Sequence, residues 1–289
     1  AFHRFVAAAI RPAVRLTPPH VFRWQRGLDA DAALAAAVTE AERTLDAEGP
    51  SLAAIIVEPL VQGAAGMWTH PPEYLRALHA LARRHGCLFI ADEVATGFGR
   101  TGHMFACELA GVTPDLLCAA KGITGGYLPL AATIATDAVF ETFLAPYDAY
   151  KAFFHGHTYT GNALACAVAL ASLRVFRDEH TLERLAPKIA TLGARLAADV
   201  ATLPHVGEIR QQGVMVGIEL VADRGYRTPY PTAARMGHRV IQAARRRGVI
   251  LRPLGNVLVL MPPLAIADDE LTLLVDVARD AIRDATESA

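Results

Sequence analysis

Residues 87–93 read Cys87-Leu88-Phe89-Ile90-Ala91-Asp92-Glu93, and residues 115–121 read Asp115-Leu116-Leu117-Cys118-Ala119-Ala120-Lys121. Each is a short apolar run that closes on a charged side chain, the pattern of a strand buried on both faces of a parallel sheet. A third such run lies upstream, Leu52-Ala53-Ala54-Ile55-Ile56-Val57, closed by Glu58-Pro59. After a glycine-rich loop, Pro71 and Pro72 open a helix in which Leu75, Leu78, Leu81 and Ala82 recur at helical spacing. Arg83-Arg84-His85 fill its last turn and Gly86 stops it. Strand, helix, strand at this interval predicts an α/β fold built on a mostly parallel, crossover-connected sheet, with Ala131 to Thr136 as a candidate fourth strand.

Downstream, residues 162–176 are Ala-rich and helical, and an amphipathic segment from Leu182 to Leu203 ends at Pro204. Strands over 214–221, 249–252 and 257–260, with helices over 232–247 and 268–285, then predict a compact α+β lobe of roughly 110 residues. A chain of 289 residues is long enough for two lobes. The expected division is a large domain over residues 1–178 and a small one over 179–289.

The bulk numbers exclude several functions. A net charge of −1 gives no electrostatic reason to bind nucleic acid or an anionic membrane, so a small molecule is the expected partner. Apolar stretches such as Leu52 to Val57 fall far short of the roughly 20 residues that cross a bilayer. Cys87, Cys107, Cys118 and Cys166 are widely spaced and form no CxxC pair, as small core residues do in a reducing cytoplasm. The start, Ala1-Phe2-His3-Arg4, lacks the features of a signal peptide and reads as if it begins in mid-protein.

Asp92 and Lys121 stand 29 residues apart (121 − 92), and parallel strands would bring both to one sheet edge. That pairing is what pyridoxal phosphate chemistry requires. A lysine amine forms a Schiff base with the cofactor aldehyde, while a carboxylate keeps the pyridine nitrogen protonated so that the ring can accept electrons. Gly122-Ile123-Thr124-Gly125-Gly126 follows the lysine and lets backbone approach a planar ligand. Alone, Asp92 would be a loop cap and Lys121 a surface charge. Gly97-Phe98-Gly99-Arg100-Thr101-Gly102 matches GxGxxG, but it neither leaves a strand directly nor opens a long helix, as dinucleotide binding demands.

His155-Gly156-His157-Thr158-Tyr159-Thr160-Gly161-Asn162 precedes a helix and suits a phosphate, with Thr158 as the leading donor; it also suits a plain capping turn. No cysteine or carboxylate lies near enough in the sequence to complete a metal site with His155 and His157. Arg252 ends an apolar run and either clamps a carboxylate in two parallel hydrogen bonds or is an ordinary surface arginine. Glu58 and Gln62 either support the cofactor from the next strand end or satisfy loop amides.

Five strings, at 55–67, 90–108, 118–136, 153–173 and 251–264, resemble the class III (omega) aminotransferases, pyridoxal phosphate enzymes of fold type I. The resemblance implies pyridoxal 5'-phosphate as cofactor, bound covalently by Lys121 with Asp92 at its pyridinium nitrogen. It implies that His157 and Thr158 meet the phosphate held by the neighbouring subunit of a homodimer, and that Gly156 and Arg252 contact substrate, Arg252 at its carboxylate. Within the family the likeness is strongest to members that move an amino group from S-adenosylmethionine to 8-amino-7-oxononanoate in biotin biosynthesis; omega-amino acids, 4-aminobutyrate or diamines are the alternative substrates. The family's Gly/Ser-rich phosphate loop and its ring-stacking Tyr-His-Gly segment have no counterpart here, and His3 does not replace them. The resemblance therefore implies the C-terminal two thirds of such an enzyme, weak or inactive as it stands, because each lost charged hydrogen bond to phosphate costs on the order of 1.5–3 kcal/mol.

Overall fold

The computed structural model describes residues 13–287; the opening Ala1 to Arg4 lies outside them. The first helix, α1 (Ala30–Glu48), is capped by Asp29, whose Oδ1 accepts from the Ala32 amide at 2.8 Å. It buries Ala33, Ala37, Ala41 and Leu45, one residue per turn along a single face. That stripe is mostly alanine, and sequence periodicity gave no sign of it.

Strand β1 (Ala54–Val57) leads into a small hairpin, β2 (Val61–Gln62) and β3 (Trp68–Thr69). Helix α2 (Pro72–Arg84) follows, then β4 (Leu88–Asp92), a short α3 (Ala106–Ala110), β5 (Leu116–Ala119) and β6 (Ala132–Ala135). The sheet runs β1-β4-β5-β6, with the first three strands parallel. Strand β6 instead pairs antiparallel with β5, since the link between them holds a 3-10 turn at Lys121–Thr124 rather than a crossover helix. Phe89 and Ala91 are fully buried against Leu75, Leu78 and Ala41, so α1 and α2 cover one face of this sheet. At about 1.5–3 kcal/mol per buried large apolar side chain, that layer holds the strand ends in place.

Helices α4 (Asp137–Glu141), α5 (Ala163–Asp178) and α6 (Thr181–Arg195) lead to a second sheet of β7 (Val206–Gln212), β8 (Met215–Asp223), β9 (Thr228–Pro229), β10 (Arg252–Leu254) and β11 (Val257–Leu260). Its order is β10-β11-β8-β7, antiparallel throughout, with β9 on β8. Helices α7 (Met236–Arg246) and α8 (Asp268–Glu287) cover one face, where Val240, Val275 and Ile282 pack on Ile218, Leu220, Leu258 and Leu260. The strand expected over 249–252 lies at 252–254, and the helix expected from 232 begins at Met236 after a short 3-10 turn. A cluster of Leu60, Val61, Met67, Ala106, Met215 and Val259 joins the hairpin to the second sheet. No helix among the described residues is long and apolar enough to cross a membrane.

Candidate active site

Three parallel strands deliver three ionisable side chains to one edge. Glu58 follows β1, Asp92 ends β4, and Lys121 lies three residues past Cys118, the register partner of Asp92 on β5. Val57 pairs with Ala91, so Glu58 and Asp92 are the next step of the same ladder. The carboxyl end of an open parallel sheet is where such folds bind ligands.

Asp92 is half-buried, and its Oδ1 accepts from the Val94 amide at 3.1 Å. Oε2 of Glu58 accepts from the Gly63 amide at 2.9 Å. Burial pushes the Glu58 carboxyl up; the Gly63 amide pulls it back, the charge on Asp92 adds to the rise and Lys121 opposes it. All three groups therefore feel one electrostatic neighbourhood. Lys121 is solvent-exposed and has φ 47°, in the left-handed region. A side chain there costs on the order of 1 kcal/mol, and such outliers gather at functional sites. The turn is held by the Thr124 hydroxyl, which donates to the Leu128 carbonyl at 2.6 Å, and by Gly122, where a Cβ would stand 2.7 Å from Cβ of Phe98.

Glu93, next to Asp92, points the other way and is fully buried. Its carboxylate accepts from the Cys107 amide at 2.8 Å and the Thr96 hydroxyl at 2.5 Å, closing the loop that contains GxGxxG. That loop docks on the second sheet: the Arg100 carbonyl accepts from the Val214 amide at 3.0 Å, and Nη1 of Arg100 donates to the Pro262 carbonyl at 2.6 Å. The helix after it, α3, has five residues, so the motif serves packing. The cysteines are all free, with Cys87 and Cys107 buried and Cys118 and Cys166 half-buried.

Gly156, His157 and Thr158 lie in an exposed loop. The His157 amide donates to Oγ1 of Thr160 at 3.2 Å, and Asn162 caps α5 by accepting from the Leu164 and Ala165 amides. Among the described residues, no hydrogen bond joins this loop to Lys121, Asp92 or Glu58. Gln62 sits in β2 opposite Trp68, half-buried. Arg252 opens β10, exposed at the mouth of a groove of about 650 Å³ walled by Val249, Leu251, Val259 and Met261. No group of three or more His, Cys, Asp or Glu that could hold a metal occurs among the described residues.

Sequence reasoning missed Arg210 on β7. This buried guanidinium donates from Nε to the Met67 carbonyl (3.1 Å), from Nη2 to the Gly66 carbonyl (2.8 Å) and from Nη1 to Glu208 and Glu219 (both 2.6 Å). It also lies over the Trp68 ring at 4.1 Å. The alternation in Val206-Gly207-Glu208-Ile209-Arg210 was the available signal, masked by the charged residues at its inward positions.

Compared with known proteins, residues 8–282 match the family model described as aminotransferase class-III. The chain belongs to the class III aminotransferases. It is 56% identical over 286 residues to the adenosylmethionine-8-amino-7-oxononanoate aminotransferase of Nitratidesulfovibrio vulgaris, covering 99% of this chain and 53% of that relative. The enzyme of the same name from Geobacter sulfurreducens is 46% identical, with 99% and 63% covered. This class III chain thus spans about half to two thirds of the length of these curated relatives. Among solved structures, the adenosylmethionine-8-amino-7-oxononanoate aminotransferase of Methanocaldococcus jannaschii superposes with a TM-score of 0.89 at 38% identity, covering 98% of this chain and 62% of that one. An (S)-enantioselective omega-transaminase from Thermomicrobium roseum gives the same TM-score and identity over 96% and 61%. The α/β fold of a fold-type I transferase is therefore the fold of this chain.

Proposed function

We propose that this chain supports transfer of an amino group from S-adenosylmethionine to 8-amino-7-oxononanoate, giving 7,8-diaminononanoate for biotin biosynthesis, with pyridoxal 5'-phosphate as cofactor. The shared edge of Glu58, Asp92 and Lys121 carries the chemistry of this reading, and the names of the relatives select the substrates. Class III aminotransferases are pyridoxal phosphate enzymes, and the groups present fit that cofactor: a solvent-reachable amine in a held turn, and a carboxylate one strand away. When bound, the cofactor supplies an electron sink that makes the C–H bond beside a substrate nitrogen acidic.

Lys121 would hold the cofactor through Nζ, and the same amine would carry a proton to and from the substrate carbon. The Asp92 carboxylate, whose Oδ1 accepts from the Val94 amide, would keep the cofactor's ring nitrogen protonated. Glu58 and Gln62 line the neighbouring strand end, Gly156 borders the substrate, and Arg252 grips a substrate carboxylate with its planar fork. His157 and Thr158, on their exposed loop, serve the phosphate of a second copy's cofactor.

A homodimer with shared sites is supported by the exposed apolar side chains of Phe140, Leu144, Tyr147, Phe153, Phe154 and Leu164, since a monomer rarely leaves so much apolar surface wet. We also place the domain division near residue 178, where the parallel sheet lies wholly before and the antiparallel sheet wholly after, and assign the protein to the cytoplasm on its biosynthetic role. The omega-transaminase neighbour supports a second reading, transfer from omega-amines.

Absorbance of the purified full-length enzyme with added cofactor, followed by borohydride fixation and peptide mapping, tests the site. A visible band fixed at Lys121, absent in Lys121→Ala, is expected, together with amine transfer from S-adenosylmethionine. Transfer from omega-amines alone would install the second reading, and absence of the band would overturn both.

A further inference from the structure

Four residues form one row across the second sheet. Arg210 on β7 pairs with Gly217 on β8, Gly217 with Val259 on β11, and Val259 with Arg252 on β10. Residues directly opposite in antiparallel strands project from the same face, so Arg210 and Arg252 stand at the two ends of that face, about 14 Å apart across three strand gaps. The hairpin that carries Gln62 is seated on the middle of the row. A Cβ added at Gly217 would lie 2.7 Å from Cβ of Met67 and 3.3 Å from the Gly66 carbonyl oxygen, so the missing side chain is the seat. Arg210 then ties the hairpin down through the Gly66 and Met67 carbonyls and the Trp68 ring.

We propose that this row is a fixed ruler between Arg252 and the cofactor edge, which makes Gly217 and Arg210 specificity-determining positioning residues for carboxylate-bearing substrates. The proposal rests on the reading of Arg252 as the carboxylate clamp. Glu58 is tied to the same hairpin by the Gly63 amide, so a shift of the hairpin reaches the cofactor edge directly. A substrate gripped at both ends senses a change in that span, and a substrate held at one end does not.

The test compares the holoenzyme with Gly217→Ala and with Gly217→Ala/Met67→Gly, using 8-amino-7-oxononanoate and its methyl ester as acceptors. Displacement of the hairpin by about 1 Å is expected to raise KM for the acid on the order of 10-fold while moving KM for the ester and kcat less than 3-fold. Restoring the space with Met67→Gly should return the acid-to-ester ratio toward that of the parent, although two destabilising changes would otherwise add. Arg210→Lys, which keeps the charge and loses the fork, should shift the same ratio in the same direction. Equal effects on acid and ester, or a ratio that the double variant does not recover, would overturn the ruler. Loss of acceptor activity and of the visible band in the parent protein would instead refute the function proposed above. The ruler, which rests on Arg252 gripping a substrate carboxylate, would fall with it.

Discussion

Lowering the pH through the range of His20 should unfasten the junction between the hairpin and the second sheet. The ring is 5% exposed, packed edge-on against Trp68 at 4.4 Å, with Nε2 3.4 Å from Glu208 and Nδ1 buried without a partner among the described residues. Burial, and then the facing Arg210 and Arg23 cations, lower its pKa from 6.5 to about 4. Contact with Glu208 is therefore that of a neutral ring, because a second ring proton would meet no acceptor and two guanidinium groups. A depressed base is protonated first in the unfolded chain, so its contribution is complete above about pH 6.5 and is lost as pH falls toward 4. The drop from 6.5 to about 4 amounts to about 3 kcal/mol, most of it gone by pH 4.5. Glu208, raised chiefly by burial, works in the opposite sense on acidification, so the wild type is compared with His20→Gln, which keeps Glu208. Urea unfolding followed by Trp24 and Trp68 emission at pH 7 and pH 4.5 should show the wild type losing about 2–3 kcal/mol more than the variant. Equal losses would refute the argument that an uncharged His20 holds this junction.

Three other outcomes are expected. Asp92→Asn keeps a carbonyl for the Val94 amide but removes the charge, so the cofactor should still attach while turnover falls on the order of 10²- to 10³-fold, read in single-turnover assays. Glu93→Ala strands the Cys107 amide and the Thr96 hydroxyl and should lower stability by about 2–4 kcal/mol in urea titrations, whereas Glu93→Gln, able to accept from one and donate to the other, should lose far less. Gly237→Ala would place a Cβ 2.1 Å from the Gly255 carbonyl oxygen, and calorimetry should show a loss of about 2–3 kcal/mol despite the better helix propensity of alanine.

The parallel core was legible because β1, β4 and β5 are apolar on both faces, and a strand of that kind announces itself without its partners. Asp92, Lys121 and Glu58 were legible for the same reason: a charge that ends an apolar run must sit at a sheet edge. What escaped was polar or small. Strand β7 carries Glu208 and Arg210 toward the protein interior, where their mutual pairing and the Gly66 and Met67 carbonyls satisfy them, and single-sequence periodicity scores such positions as solvent. Helix α1 buries alanines, whose burial leaves almost no hydropathy contrast. The antiparallel turn of β6 depended on the length and content of one loop, which local propensity does not weigh.

The left-handed backbone at Lys121 sets stability and chemistry against each other at a single position. Glycine would relax that turn by on the order of 1 kcal/mol, so any selection for heat tolerance alone favours a replacement that lacks the amine. If Lys121 has the role proposed for it, libraries screened first for folding will drift toward inert proteins at this site, and designers who borrow the scaffold must hold residue 121 fixed before they optimise anything else.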